Sequence, residues 1–153
     1  MTRTAWRVLG RYGGSAGEDV VQEALIAALT TDALPRGDVG AWLRAIAARK
    51  ALDEARRRGR RAEQSLGDPE TEAPEPPAAG NPGATLEVLV LRQALAALSP
   101  SDRAVLTLCD LEGWSMDEAA RVLGLTRVAT KLRASRARRK LARLIGQREG
   151  RDG

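Results

Sequence analysis

The sequence predicts an all-α fold made of two small helical domains, and three observations lead to this prediction. Apolar residues make up 43% of the chain but aromatic ones only 3%, so the cores must consist mainly of aliphatic side chains, of which Leu and Ala favour helices. No stretch shows the sustained alternation of apolar and polar residues that a strand requires. Gly and Pro cluster between the periodic segments, where they separate helices. A chain of 153 residues can form one or two such domains.

The composition excludes several classes of function. The chain has no histidine, which removes the common zinc-ligand sets and histidine-based catalysis. Its single cysteine, Cys109, cannot form an internal disulfide; we expect a small buried apolar residue there, with a redox-sensing thiol as the alternative. No spacing gathers carboxylates into a metal site and no nucleophile has a neighbouring base, so we expect no cofactor, no metal and no enzymatic activity. The absence of a signal-peptide core and of a membrane-spanning run predicts a cytoplasmic protein without membrane insertion.

The charge pattern predicts a linker in the middle of the chain. The formal charge is +5, but no Lys or Arg occurs between Arg61 and Arg92. Within residues 62–85, five acidic residues lie among five prolines. They are Glu63, Asp68, Glu70, Glu72 and Glu75, and Pro69, Pro74, Pro76, Pro77 and Pro82. Such a segment buries little apolar surface. We therefore predict a flexible acidic Pro-rich linker over residues 62–85 between domains at 1–61 and 86–148. A passive tether is favoured over a segment that competes with nucleic acid for a basic channel.

The amino-terminal domain is predicted to contain three helices. A short one covers Thr4 to Arg11, and a second begins near Ser15. The apolar side of the second helix carries Val20, Val21, Ala24, Leu25, Ala28 and Leu29, and its other side carries Asp19, Gln22, Glu23 and Ile26. That mostly acidic face is either solvated or a docking surface.

The third predicted helix follows a loop over residues 30–40 and ends in a dense run of positive charge. Its apolar stripe contains Trp42, Leu43, Ile46, Ala47 and Ala51. We expect Trp42 to pack in the domain core rather than to stack on a base. The seven cations are Arg49, Lys50, Arg56, Arg57, Arg58, Arg60 and Arg61. They are numerous enough to neutralise several phosphates, and because a second basic element follows we favour phosphate contact over a solvated helix end.

The carboxy-terminal domain contains the local signals of a helix-turn-helix. Ser99 and Pro100 start one helix, which ends at Glu112 and Gly113. Ser115 and Glu118 form a capping box that opens a short helix. Gly124 closes that helix, and Thr126 can cap a last helix rich in cations. Two short helices joined by a Gly-containing turn, the second one basic, are typical of a motif that places side chains in the DNA major groove.

These segments together resemble a bacterial extracytoplasmic-function (ECF) sigma factor. The resemblance lies in EDVVQEALIAAL, then AWLRAIAARKALDEARRRGRR, then the acidic linker, then LSPSDRAVLTLCDLEGWSMDEAARVLGLT with a basic final helix. It covers nearly the whole chain in the family's order. It implies a region 2 helical bundle at 1–61 and a region 4 helix-turn-helix at 86–148. It also implies three partners: core RNA polymerase, through its β′ clamp and β flap, promoter DNA, and an anti-sigma factor.

The resemblance assigns roles to three sets of residues. Polymerase-core binding falls to Glu18, Asp19, Gln22, Glu23 and Ile26. Recognition and melting of the minus-ten element fall to Arg36, Arg44, Arg49, Lys50, Arg56 and Arg57, which supply cationic contacts to single-stranded DNA. Recognition of the minus-thirty-five element falls to Thr126, Arg127, Val128, Thr130, Lys131, Arg133, Arg136 and Arg138. Most of these cations are expected on phosphates rather than on bases.

The last helix departs from the family in its apolar register. The usual Gly-Thr-Val-Lys-Ser-Arg-Leu is replaced by VATKLRA, Val128 to Ala134, which puts Thr130 and Ala134 where larger apolar residues normally stand and Val128 and Leu132 on the exposed side. Either the helix is rotated, or it packs loosely and shows apolar surface that a groove or a partner covers. We expect Val128 to contact a thymine methyl group or a partner.

The predicted function is that of an alternative sigma factor, which binds core polymerase and directs promoter-specific transcription initiation. The phosphodiester chemistry is left to the polymerase. One alternative is a helix-turn-helix regulator that acts on duplex DNA without polymerase. Another is a sigma-like interaction protein that binds polymerase or an anti-sigma factor but cannot open promoters.

Overall fold

The computed structural model describes residues 1–10, 14–32, 35–64, 83 and 85–150. The chain divides into two compact units, Met1–Ala78 and Ala79–Gly153. We call them the amino-terminal and the carboxy-terminal unit and describe each by itself. The described residues form helices joined by turns and bends, without a strand, which confirms the predicted all-α class. Most of the predicted linker, 62–85, lies outside the described residues.

The amino-terminal unit is a bundle of α1 (Thr2–Leu9), α2 (Gly14–Thr30) and α3 (Val39–Gln64), each packed against the other two. Its buried positions are mostly small. They include Ala5, Val8, Leu9, Ala16, Val20, Ala24, Ala28, Ala47, Ala48, Ala51, Leu52 and Ala55. Small side chains allow helix axes to approach closely. Packing is tight at Gly17, where an added Cβ would lie 2.5 Å from Nε1 of Trp6 on α1.

The three helices differ from their predicted bounds at their ends. The first spans Thr2–Leu9 rather than Thr4 to Arg11, and Arg11 lies outside the described residues. The third begins at Val39, inside the predicted loop, because the Asp38 carboxylate accepts a hydrogen bond from the backbone N–H of Ala41 at 3.2 Å and so satisfies a helix-start donor. Helix ends depend on such single contacts, which apolar periodicity does not report.

The predicted apolar side of α2 was wrong at two positions. Leu29 is 85% exposed and Leu25 is also exposed, whereas Val20, Ala24 and Ala28 are buried. The buried residues recur every fourth position, and each of the two leucines is one residue, or about 100°, further round the helix. The stripe that packs in the bundle is therefore narrower than the apolar pattern predicted.

The carboxy-terminal unit contains α4 (Leu86–Ala96), α5 (Pro100–Leu106), a π-helical turn (Thr107–Leu111), α6 (Met116–Leu123) and α7 (Arg127–Glu149). Helices α4, α5 and α6 all pack against α7. Leu98, Leu106 and Ala137 form a buried cluster, joined by Leu95, Leu141 and Leu144. No helix in the part of the chain that the structure describes has the length and apolarity needed to cross a membrane.

The predicted caps of this unit are confirmed. Ser99 accepts from the backbone N–H of Asp102 at 3.2 Å. Ser115 and Glu118 form the capping box through reciprocal bonds of 3.1 and 2.9 Å. Gly124 ends α6 in the left-handed conformation (φ 67°), which glycine adopts without steric cost. Thr126 accepts from the N–H of Ala129 at 3.1 Å and so starts α7.

The helix that starts the predicted motif ends earlier than the sequence indicated. Helix α5 stops at Leu106, and the chain continues as the π-helical turn before it reaches Glu112. This single wide turn presents Cys109 and Asp110. Helix α4 was not predicted individually; it is capped by Thr85, whose hydroxyl accepts from the N–H of Val88 at 3.4 Å.

Candidate nucleic-acid and polymerase interfaces

Helix α7 is not rotated, and its VATKLRA segment keeps Thr130 and Ala134 in the core. Both side chains are fully buried, whereas Val128 is 77% and Leu132 47% exposed. The buried hydroxyl of Thr130 donates to the backbone carbonyl of Thr126 at 2.9 Å, which removes the cost of burying a polar group without a partner. The predicted rotation is therefore wrong, and the apolar surface that the second arrangement requires lies on the outer side of the helix.

The predicted minus-thirty-five residues fall into two groups according to whether a carboxylate already holds them. Arg133 donates to Asp102 of α5 at 3.1 Å. Arg138 donates to both oxygens of Asp110 in the π-helical turn, at 2.8 and 2.7 Å. The hydrogen bonds to Asp110 raise the pKa of Arg138, so this guanidinium stays charged and engaged. These two arginines join α7 to the preceding elements.

The other predicted cations of α7 point to solvent. Lys131 and Arg136 are exposed, and neither forms an ion pair within the part of the chain that the structure describes. Arg127 is also exposed, with its nearest carboxylate, Asp117, at 3.7 Å. Thr126 is exposed and serves as the helix cap. Of the predicted minus-thirty-five cations, Lys131, Arg136 and Arg127 are therefore the most available to an anionic ligand.

Cys109 lies half-buried beside the Arg138–Asp110 pair. Its thiol donates to Sδ of Met116 at 3.8 Å. Burial raises the pKa of Cys109, the charge of Asp110 raises it further, and Arg138 offsets part of this. A thiol with a raised pKa holds little thiolate and is a poor redox sensor. These contacts favour the predicted packing role, although the side chain is only partly covered.

Four of the six predicted minus-ten cations form two rows along α3, and the other two lie near its start. Arg49 and Arg56 are seven residues apart and so share one side of the helix, as do Lys50 and Arg57 one step further round. Arg49 and Arg57 are exposed, and Lys50 is 3.9 Å from Glu23 of α2. The two remaining residues of this set lie nearer the start of α3: Arg36 is exposed, and Arg44 is 3.9 Å from Asp38. Trp42, predicted to pack in the core, is half-buried.

Glu54 organises the basic end of α3, a role that the sequence reading missed. Its carboxylate pairs with Arg57 and also accepts from Arg58 at 2.6 Å. Burial raises the pKa of Glu54, but the hydrogen bond and charge of Arg58, together with Arg57, outweigh that effect and lower it. The i, i+3 and i, i+4 spacing of these residues was the available signal. Glu54 therefore fixes two arginines of the dense cationic run.

The predicted polymerase-binding residues form one exposed surface. Glu18, Asp19, Gln22, Glu23 and Ile26 are all exposed on α2. Ile26, at 60% exposure, lies beside the exposed Leu25 and Leu29, which the sequence reading had assigned to the core. We call these seven residues of α2 the α2 face. It combines carboxylates with uncovered aliphatic side chains, a composition suited to a protein partner.

Two family models match the chain. The sigma-70 region 2 model matches residues 1–61, and the sigma-70 region 4 model matches residues 89–141. The first range contains α1, α2 with the α2 face, and most of α3, and the second runs from Leu89 of α4 to Leu141 of α7.

Curated relatives match over most of the chain. The ECF RNA polymerase sigma factor SigL of Mycobacterium tuberculosis is 34% identical over 143 residues, which cover 89% of this chain and 79% of SigL. RNA polymerase sigma factor CarQ of Myxococcus xanthus is 32% identical, with 89% and 78% covered. SigM of M. tuberculosis is 30% identical over 131 residues, and the match spans 64% of the length of SigM.

Two solved structures share the fold. One is the sigma factor RpoE of Bartonella quintana in complex with the anti-sigma factor NepR, with a TM-score of 0.74 and 26% identity over 95% of this chain and 89% of that one. The other is CnrH in complex with the cytosolic domain of CnrY, with a TM-score of 0.61 and 29% identity over 94% and 81%.

Proposed function

The chain belongs to the extracytoplasmic-function (ECF) group of RNA polymerase sigma factors, and we propose that it acts as an alternative sigma factor that directs promoter-specific transcription initiation. The observation that carries the proposal is the combination of the α2 face with the cationic outer side of α7 in one chain. A duplex-binding regulator needs only the second surface. A factor that delivers a polymerase to a promoter needs both.

The α2 face is the proposed contact with the β′ clamp of core polymerase. Its exposed Ile26, Leu25 and Leu29 supply apolar area at the centre of a contact, and the carboxylates around them supply charge complementarity to a basic partner surface. The β flap is the proposed second polymerase contact, made by the carboxy-terminal unit. We place both contacts in the cytoplasm, where polymerase and chromosome meet.

The two basic helices are the proposed DNA-reading elements. Arg36, Arg44, Arg49, Lys50, Arg56 and Arg57 contact the minus-ten element, and the outer side of α7 contacts the minus-thirty-five element. In this proposal the domains are those drawn from the sequence, 1–61 and 86–148, joined by the acidic segment 62–85. The protein itself performs no bond-making step, since initiation of the RNA chain belongs to the polymerase. An anti-sigma factor is the proposed regulatory partner, as for the RpoE structure.

Reconstitution with core polymerase tests this proposal. Purified chain and core enzyme are added to a library of promoter fragments, and transcripts are sequenced; we expect initiation from a defined subset of fragments. Permanganate reactivity of unpaired thymines on those fragments reports strand opening. A chain that binds core polymerase but leaves thymines unreactive would be an interaction protein only. A chain that binds duplex DNA but not polymerase would be a separate regulator.

A charge reversal on the α2 face isolates the polymerase contact. We expect Asp19→Lys to weaken binding to core polymerase several-fold, because Asp19 is exposed within the proposed interface. Asp53→Lys is the matched control, since it makes the same charge change at an exposed residue of α3 that lies outside both proposed polymerase contacts. Equal affinities of the two variants would remove the α2 face from the proposal.

A further inference from the structure

We propose that Val128 and Leu132 read the methyl groups of thymines in the major groove, and so set the base preference of the upstream promoter element. This inference rests on the proposed function, in which the outer side of α7 contacts DNA. It adds the chemistry by which bases are distinguished there, which is apolar contact rather than hydrogen bonding by arginine.

The placement of the two side chains supports this role. They are one helical turn apart and therefore lie on the same side of α7. The opposite side is formed by Thr130, Ala134 and Ala137, all of which are fully buried against the rest of the unit. Val128 is the second residue of the helix, and the first residues of a recognition helix are those that reach base edges.

The charge around these two residues favours DNA over a protein as the occupant. Lys131 and Arg136 flank the apolar pair and have no carboxylate partner among the described residues. Helix α7 has no acidic residue before Glu149. The nearest acidic neighbour at its start is Asp117, 3.7 Å from Arg127. An apolar strip bordered by free cations matches a groove whose floor carries methyl groups and whose two edges are rows of phosphates.

Two of the predicted arginines of α7 are already held by carboxylates and are not free to read guanine beside this strip. Arg133 is held by Asp102 and Arg138 by Asp110. Bidentate guanine recognition requires a guanidinium that is free to present two donors. Thymine is distinguished instead by its C5-methyl group, which cytosine and adenine lack in the major groove. Burying one methyl group is worth about fourfold in affinity, or about 0.8 kcal/mol.

The test removes only the methyl groups. The full chain with core polymerase is first used to select upstream elements from a library of duplexes randomised in that region. The selected element is then synthesised with deoxyuridine in place of one thymine at a time, which deletes the methyl group and keeps every hydrogen-bonding group. We expect thymine at one or more selected positions, and a loss of about fourfold in promoter binding for uracil at each contacted position.

Protein variants assign the effect to the proposed residues. Val128→Ala should bind the thymine element more weakly and lose its preference for thymine over uracil at one position, and Leu132→Ala should do so at a neighbouring one. Lys131→Ala should weaken binding equally for both bases, because a phosphate contact does not involve the methyl group. Leu89→Ala is the matched control, an exposed aliphatic residue of α4, and should leave binding unchanged.

The outcomes separate this inference from the proposed function. If transcription starts at selected promoters but uracil binds as well as thymine at every position, the apolar readout is wrong and the sigma-factor role stands. The same conclusion follows if the preference for thymine survives in both the Val128 and Leu132 variants. If no library member supports initiation, the proposed function itself fails, and the inference fails with it.

Discussion

Arg138 of α7 binds Asp110 of the π-helical turn through two hydrogen bonds, with Nε at 2.8 Å from one carboxylate oxygen and Nη2 at 2.7 Å from the other. Arg133 makes a second bridge, to Asp102 of α5. Both carboxylates belong to elements that precede α6, so the two pairs connect the beginning of the motif with its last helix. They fix the direction in which α7 leaves the turn after Gly124.

The Arg138–Asp110 pair should stabilise the carboxy-terminal unit modestly. Both side chains are partly exposed, so solvent screening limits the contribution to about 0.5–1 kcal/mol even for a bidentate pair. We expect Arg138→Ala and Asp110→Ala each to lower the free energy of unfolding by that amount. The double variant should lose little more than either single one, because both remove the same interaction. Urea denaturation followed by fluorescence measures these values in a chain whose Trp6 and Trp42 are replaced by Phe, so that Trp114 is the only tryptophan, and full additivity would contradict the pairing.

The cations of α7 that have a carboxylate partner should differ from those that have none among the described residues in their effect on the salt dependence of DNA binding. Lys131→Ala and Arg136→Ala should each reduce the slope of log affinity against log salt by roughly one, as expected for the loss of one phosphate contact. Arg133→Ala and Arg138→Ala should change the slope less, because their carboxylate partners already neutralise them. Promoter binding by the polymerase complex from low to moderate salt gives the slopes. Equal reductions in all four variants would show that the ion pairs open on DNA.

The sequence predicted contacts between residues that are close together in the chain, but not contacts between residues that are far apart in it. The Ser115–Glu118 capping box and the Gly124 turn were predicted correctly because each is a local arrangement with its own residue signature. The bridges from Arg133 and Arg138 were not, since their partners lie 31 and 28 residues away. No short-range pattern indicates which of several arginines meets a distant carboxylate. The sequence reading therefore treated every cation of α7 alike.

The exposure of Leu25 and Leu29 on α2 was missed for a related reason. Its apolar residues are numerous enough to cover almost two sides of the helix, and only the packing of neighbouring helices selects which side is buried. The small residues Ala24 and Ala28 are buried, whereas Leu29 is exposed. The side of α7 that is buried could be predicted more closely, because the segment VATKLRA allowed only two arrangements. Burial of Thr130 requires a hydrogen-bond acceptor, and the helix supplies one in the backbone carbonyl of Thr126.

A side chain at position 17 should disturb the packing of α1 against α2 and destabilise the amino-terminal unit. A Cβ there would lie 2.5 Å from Nε1 of Trp6, so Gly17→Ala should lower the stability of the amino-terminal unit by about 1–3 kcal/mol through overpacking. Gly59→Ala is the matched control. Gly59 is inside α3 with open space around its Cα, and the change should be neutral or stabilising by up to about 1 kcal/mol. Denaturation midpoints of both variants test the contrast, and equal effects would refute the tight packing.

Arg103 should contribute more to stability than any exposed cation of the carboxy-terminal unit. It is 2% exposed, and its Nη1 donates to the carbonyl oxygens of Ala96 and Leu98 at 3.3 and 3.1 Å. These bonds satisfy carbonyl groups at the end of α4. We expect Arg103→Ala to cost about 2–4 kcal/mol, from the lost hydrogen bonds and the cavity. Arg121→Ala, an exposed arginine on α6, should change stability by no more than about 0.5 kcal/mol.

The capping box at the start of α6 should make the carboxy-terminal unit less stable in acid. The backbone N–H of Ser115 donates to the Glu118 carboxylate at 2.9 Å, and this bond, followed by that of the Ser115 side chain, lowers the pKa of Glu118 below its ordinary 4.5. A carboxyl group with a lowered folded-state pKa stabilises the fold above its unfolded-state pKa, and this contribution is lost as the pH falls through the folded-state value.

Glu118→Gln keeps an acceptor but cannot titrate. The stability difference between the wild-type chain and this variant should therefore be constant between pH 7 and about pH 5.5 and shrink as the pH falls below 4.5. Urea midpoints measured across that range test the prediction, and a difference that does not vary with pH would contradict it.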